Sequence, residues 1–280
     1  MRPTDIVALT PLMELSEGSP DVTIALVDGP VALGHPALAP ARIDELGSSA
    51  ACGSTTHAAC VHGTFVAGLL AARRDSEVPG VCPACRLLVR PIFGELDGPM
   101  PRAEPKELAR AIVECVDAGA LVINLSVAVL IADTNGAREL DLALAHAVSR
   151  QVLLVAAAGN RGEIAATCLT RHPWVIPVAA FGAEGRVAPY SDIGRSIGLS
   201  GVGAPGHEIR SLSATGGILS MSGTSVSAPF VTGTIALLAS LVPHAPRARI
   251  RAELRERCRS SIVPPLLNAA AVYRRLLARM

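Results

Sequence analysis

The chain has 280 residues, half of them hydrophobic but only 2% aromatic, so a sizeable core must be built from Ala, Val, Leu and Ile. Twenty-five Lys and Arg against 24 Asp and Glu give a net charge of +1, which offers no basic footprint for nucleic acid. No run of ~18 apolar residues marks a membrane span, and no signal-peptide core follows Met1-Arg2-Pro3-Thr4-Asp5, so a cytoplasmic, bacterial-type protein is expected.

Residues 1–20 read as an N-terminal extension and 21–280 as one core domain. The β-branched run 22–27 predicts a buried strand that ends at the turn Asp28-Gly29-Pro30. Asp28 then stands at a strand's carboxyl edge, where open α/β sheets place their sites. Residues 40–60, rich in Gly, Ser, Thr and Ala, read as loop, and a helical pattern follows with His62 at its start. Further strands are expected over 87–92, 121–126, 152–158 and 174–179. Helices are expected over 105–118, where Leu108, Ile112 and Val116 share a face, and over 140–150. The segment Gly223-Thr224-Ser225-Val226-Ser227-Ala228-Pro229 opens an apolar helix starting near Ser225, with Pro229 in its first turn. The arginines between Arg247 and Arg279 alternate with Glu and apolar residues and read as solvated helix faces. Alternating strands and helices with short connections predict a single α/β domain, a mostly parallel central sheet with helices on both faces.

Asp28, His62, Asn160 and Ser225 all stand at strand ends or helix starts. Taken singly, each has a bland role as a turn, cap or structural residue. Together they fit one scheme. Ser225 is a nucleophile whose hydroxyl needs a base, and His62 is that base. Asp28 fixes the imidazole tautomer, and the Asn160 amide with the Ser225 backbone N–H would stabilise an oxyanion.

On the segments 24–29, 62–68, 157–160 and 223–229 the sequence resembles the subtilisin-like serine proteases, with Asp, His, Asn and Ser in the family's order. The resemblance runs from about Val22 to the chain end, where Leu267-Asn268-Ala269-Ala270-Ala271 looks like the family's closing helix. It implies a subtilisin-like fold and a serine endopeptidase that acts on peptides or proteins through an acyl-enzyme, without a cofactor. Ser126, Val127, Ala128, Ala157, Ala158 and Gly159 then fall at substrate-binding positions. Val27 to Val31 and His35-Pro36 look most like the cyanobactin-type maturation proteases, which cut leader peptides from ribosomally made precursors. The alternative is a catalytically silent fold that binds a peptide.

The sequence also departs from the family. Phe65 stands where a second histidine is frequent, and Val127-Ala128-Val129 replaces two glycines of the channel wall, which should narrow it. Relatives bind calcium in the loop equivalent to 73–78; Arg73 and Arg74 disfavour a hard cation there, so no metal is expected. For the seven cysteines, zinc, disulfides and free thiols are all open from spacing. The expectation is that Cys52–Cys60 and Cys82–Cys85 are bonded, with Cys115, Cys168 and Cys258 free.

Overall fold

The computed structural model describes residues 1–47, 52–93, 104–127, 134–255 and 262–278. In chain order the elements are α1 (Pro3–Ile6), α2 (Thr10–Leu15), β1 (Thr23–Asp28), β2 (Arg42–Glu45), α3 (Ala58–Ala71), β3 (Arg86–Pro91), α4 (Pro105–Asp117) and β4 (Val122–Leu125). There follow α5 (Thr134–Ser149), β5 (Leu153–Ala157), α6 (Cys168–Arg171), β6 (Val175–Phe181), α7 (Arg195–Ser200) and β7 (Val202–Pro205). The rest comprises β8 (Ile209–Leu212), β9 (Ile218–Met221), α8 (Thr224–Leu241), α9 (Arg247–Leu254) and α10 (Ala269–Leu277).

Seven strands pair in the order β2-β3-β1-β4-β5-β6-β7, every pair parallel. Alternate side chains of each strand point to opposite faces. Ile24 and Leu26 of β1 join α3 and α8 in the larger apolar cluster. Ala25 and Val27 join α4 and α5 in the second. Burial on both faces explains why these strands read as continuous apolar runs. The strand order reverses direction between β1 and β4, so the carboxyl ends of those two strands frame the crevice where such sheets place a site.

The 18-residue α8 is long and apolar enough to cross a membrane, but 83% of it is buried here as a core helix. It contacts β1, β4, β5, β6 and β7 as well as α3. Val7, Leu9 and Leu12 from the N-terminal segment sit in the same cluster as α8.

Four strands escape the sequence pattern. β2, within the expected loop, is a short edge strand of exposed and half-buried residues, Arg-Ile-Asp-Glu, whose charges protect the edge. β7 is short and carries Gly and Pro, and β8 and β9 form an antiparallel hairpin leading into α8. α3 begins at Ala58, capped by His57, whose ring nitrogen accepts from the Ala59 N–H, so His62 lies in the second turn and not at the start. Pro229 likewise falls past the first turn, inside α8.

In the loop after α3, Arg73 pairs with Asp75, while the Arg74 guanidinium donates to the carbonyls of Met13 at 2.6 Å, Ser16 at 2.9 Å and Val81 at 2.7 Å. A guanidinium therefore occupies carbonyl oxygens of the sort a calcium ion would need, and it ties the N-terminal segment to the loop. Among the described residues no three His, Cys, Asp or Glu gather as a metal site. Arg74→Ala is expected to lower stability by about 2–4 kcal/mol in urea unfolding, since three charge-assisted bonds are lost. A chelator should leave the wild-type thermal midpoint in place; a large drop would reveal a bound cation.

Candidate active site

β1 delivers Asp28, fully buried, at its carboxyl end. His62 reaches it because α3 packs backbone to backbone on the exit of β1. A Cβ on Gly63 would lie 2.4 Å from the Gly29 carbonyl oxygen, and one on Gly29 would lie 2.0 Å from that of Ala59. Only glycine permits that approach. His62 Nδ1 then meets Asp28 Oδ1 at 2.6 Å, and the Gly29 N–H donates to the same oxygen at 2.6 Å. Asp28 Oδ2 has no hydrogen-bond partner among the described residues, so the imidazole is the carboxylate's chief compensation. Burial pushes the His62 pKa down, but the charge and hydrogen bond of Asp28 outweigh it and hold the pKa above 6.5. With Nδ1–H donating to Asp28, the neutral ring presents its Nε2 lone pair, 2.9 Å from Ser225 Oγ.

Ser225 is the second residue of α8, among backbone N–H groups at the positive end of the helix. Asn160 follows β5 in an exposed turn. Its Oδ1 accepts from the Thr224 N–H at 2.8 Å and the Thr224 hydroxyl at 2.9 Å, which turns Nδ2 outward. Nδ2 and Ser225 Oγ face one space, 3.3 and 3.4 Å from where a Cβ on Gly223 would sit. That is where an oxyanion would form.

Two supports escape the sequence reading. Thr224 could have been found from its place beside Ser225. Asp192, 1% exposed, had no sequence signal. It accepts from the N–H groups of Arg161 at 2.9 Å and Glu163 at 3.2 Å, and its Oδ2 would collide with a Cβ on Gly159 (φ +121°). It thereby fixes the turn that carries Asn160.

The expected substrate wall is only partly realised. Ser126 turns toward α8 and donates to the Ser225 carbonyl at 3.0 Å. Val127 is buried in the second apolar cluster. Ala128 and Val129 lie outside the described residues. Ala158 is buried against Phe181 and Ile197, whereas Ala157 and Gly159 remain partly exposed. A hollow of about 450 Å³ is lined by Val31, His35, Glu45, Cys52, Ala214 and Thr215, and none of the expected site residues lines it.

Cys52 and Cys60 form a disulfide, and Cys60 is two residues before His62. The expectation for Cys82 and Cys85 is corrected: both are free thiols buried in the main cluster, linked by a thiol–thiol hydrogen bond that raises the pKa of Cys82 and lowers that of Cys85. They act as small core residues under the N-terminal segment, since a Cβ on Gly18 would lie 2.4 Å from Cys85 Sγ. Cys115 and Cys168 are free as expected, burial pushing the Cys115 pKa up to about 12. Cys258 lies outside the described residues.

A parallel sheet carrying Asp, His and Ser in one hydrogen-bonded line at its carboxyl edge defines a subtilisin-like α/β protein. The Subtilase family pattern matches residues 19–268. The chain is 33% identical over 196 residues to a thermostable alkaline protease of Halalkalibacterium halodurans, covering 70% of this chain and 51% of that protein, so it spans about half that relative's length. It superposes on an alanine mutant of the PatA protease domain with a TM-score of 0.86 at 30% identity, covering 94% of this chain and 98% of the other. The prenylagaramide maturation protease PagA superposes with a TM-score of 0.84 at 30% identity, covering 96% and 98%. The chain belongs to the subtilase family.

In an NMR titration the His62 imidazole should show a midpoint above 6.5, and Asp28→Asn should move it below. A pKa raised by folding stabilises the fold below the unfolded-state value, and that contribution fades as pH rises through the folded one. A wild-type midpoint below 6.5 would mean that burial outweighs Asp28. Alkylation of denatured protein without reductant should label Cys82, Cys85, Cys115 and Cys168 and spare Cys52 and Cys60 in peptide mapping. Opening the Cys52–Cys60 loop should cost at most about 2–3 kcal/mol.

Proposed function

We propose that this chain is a serine endopeptidase working through an acyl-enzyme. The observation that carries the reading is the unbroken line from Asp28 Oδ1 to His62 Nδ1 at 2.6 Å and from His62 Nε2 to Ser225 Oγ at 2.9 Å. His62 takes the Ser225 proton as Oγ attacks a peptide carbonyl, and Asp28 stabilises the resulting imidazolium. The carbonyl oxygen gathers negative charge between Asn160 Nδ2 and the Ser225 N–H. His62 returns the proton to the leaving amine, and water then releases the acyl group by the reverse sequence.

The substrate class proposed is a ribosomally made precursor peptide, cut at its leader. Likeness over nearly the whole chain to PatA and PagA, the latter described as a maturation protease, supports this.

A fluorophosphonate should label wild type and leave Ser225→Ala unlabelled. Ser225→Ala and His62→Ala should each lose activity on the order of 10⁶ in kcat, the scale known for the corresponding groups of subtilisin. Asn160→Ala should lose roughly 10²–10³, the scale of subtilisin's own lost oxyanion donor. A peptide library read by mass spectrometry identifies the cleaved bond. Wild type that neither takes the label nor cleaves any peptide would leave a binding module.

A further inference from the structure

Pro229 removes a hydrogen bond at the most sensitive point of α8. In a regular helix the Ser225 carbonyl accepts from the N–H four residues on, but residue 229 is proline and has none. An unpaired carbonyl in this interior is costly. The replacement comes from β4. Ser126 Oγ donates to the Ser225 carbonyl at 3.0 Å. Asn124 Nδ2 donates to that Oγ at 2.7 Å, and Thr232 Oγ1 donates to Asn124 Oδ1 at 2.8 Å. Asn124 and Thr232 are fully buried and Ser126 is 5% exposed.

This relay fixes direction at both ends. The Asn124 amide is oriented by Thr232, so its N–H points to Ser126, and the Ser126 hydroxyl proton is left to face the Ser225 carbonyl. α8 is thus held to β4 at two places, Ser225 and Thr232, about two helical turns apart. β4 is also the neighbour of β1, with Leu26 level with Asn124 and Val27 level with Leu125, so the anchor lies next to the strand that ends in Asp28. On the N-terminal side, the peptide between Gly223 and Thr224 is held where the Thr224 N–H donates to Asn160 Oδ1. The first bond holds the backbone of Ser225 itself and the second that of Thr224 just before it, and together they restrict where Ser225 Oγ points.

We propose that Ser126, oriented by Asn124 and Thr232, is a positioning residue for Ser225: it supplies the hydrogen bond that Pro229 withholds and so sets the line from Ser225 Oγ to His62. The proposal rests on Ser225 being the nucleophile. It gives Ser126 a role toward the enzyme's own backbone, distinct from contact with substrate.

The test compares Ser126→Ala, Ser126→Thr and the double variant Ser126→Ala/Pro229→Ala with wild type. The readouts are kcat and KM on a cleaved library peptide, the rate of fluorophosphonate labelling and the thermal midpoint. Ser126→Ala should lower kcat and the labelling rate about 10- to 100-fold with KM nearly unchanged, the scale expected when a reacting atom is misplaced by a fraction of an ångström to an ångström. Ser126→Thr keeps the hydroxyl and should retain most of the rate. The double variant should recover most of the loss, because the backbone N–H restored at position 229 serves the same carbonyl. If Ser126→Ala fails to fold, the double variant should still fold and work. A wild-type kcat in Ser126→Ala, a loss carried by KM, or no recovery in the double variant would each overturn the proposal. Wild type that ignores the fluorophosphonate, or a labelled Ser225→Ala, would instead refute the nucleophile reading itself.

Discussion

The burial of α8 against the parallel sheet is the interaction on which the rest of the molecule depends. The helix is apolar on every side, so it can only lie in the interior, and it crosses beneath five of the seven strands. Burying it fixes its N-terminus at the carboxyl edge of the sheet, where β1 and β4 also end. Ser225 is brought to the crevice by the same apolar surface that holds the domain together. With so few aromatic side chains, that surface is made of small aliphatic groups, which allows backbones to approach closely. The contact of Gly63 with Gly29 and Pro30 uses the same freedom to seat α3, and with it His62.

Apolar packing has no direction, and a hydrogen-bonded line of three side chains needs one. Direction comes from a small number of buried polar bonds. Asp28 commits one oxygen to the Gly29 N–H and His62. Asn160 commits its carbonyl to Thr224, leaving the amide N–H free. Asp192 takes the N–H groups of the turn beyond Asn160. Each polar group engaged in one sense is what leaves another exposed in the useful sense.

The sheet's central strands, α4 and the four site residues were legible because each rests on a local pattern. The strands buried on both faces appear as apolar runs, and Asp28, Ser225 and Asn160 follow or begin such runs directly. What was not legible depends on partners distant in sequence. β2 is charged and open to solvent, so nothing apolar marks it, and only pairing with β3 makes it a strand. Asp192 is one acidic residue among many until the turn at 159–163 folds over it. The spacing of Cys82 and Cys85 does not say whether sulfurs bond, and here the core takes them as thiols. Val127 follows the strand that ends at Leu125, and sequence alone did not say on which side its side chain falls.

The three members of the line are held by three different means, and this separates their vulnerabilities. Asp28 belongs to β1, an interior strand of the sheet, and can shift only if β1 does. Ser225 is carried by α8 and leans on the wall of β4. His62 alone depends on a helix whose approach is tied by the Cys52–Cys60 disulfide. Neither cysteine belongs to the two large apolar clusters, and the short loop they close puts the bond at the low end of disulfide stabilisation. The consequence of the bond is local: it restrains the first turn of α3, two residues from His62. Of the three groups, His62 is the one that meets both others, so its position decides both bonds of the line.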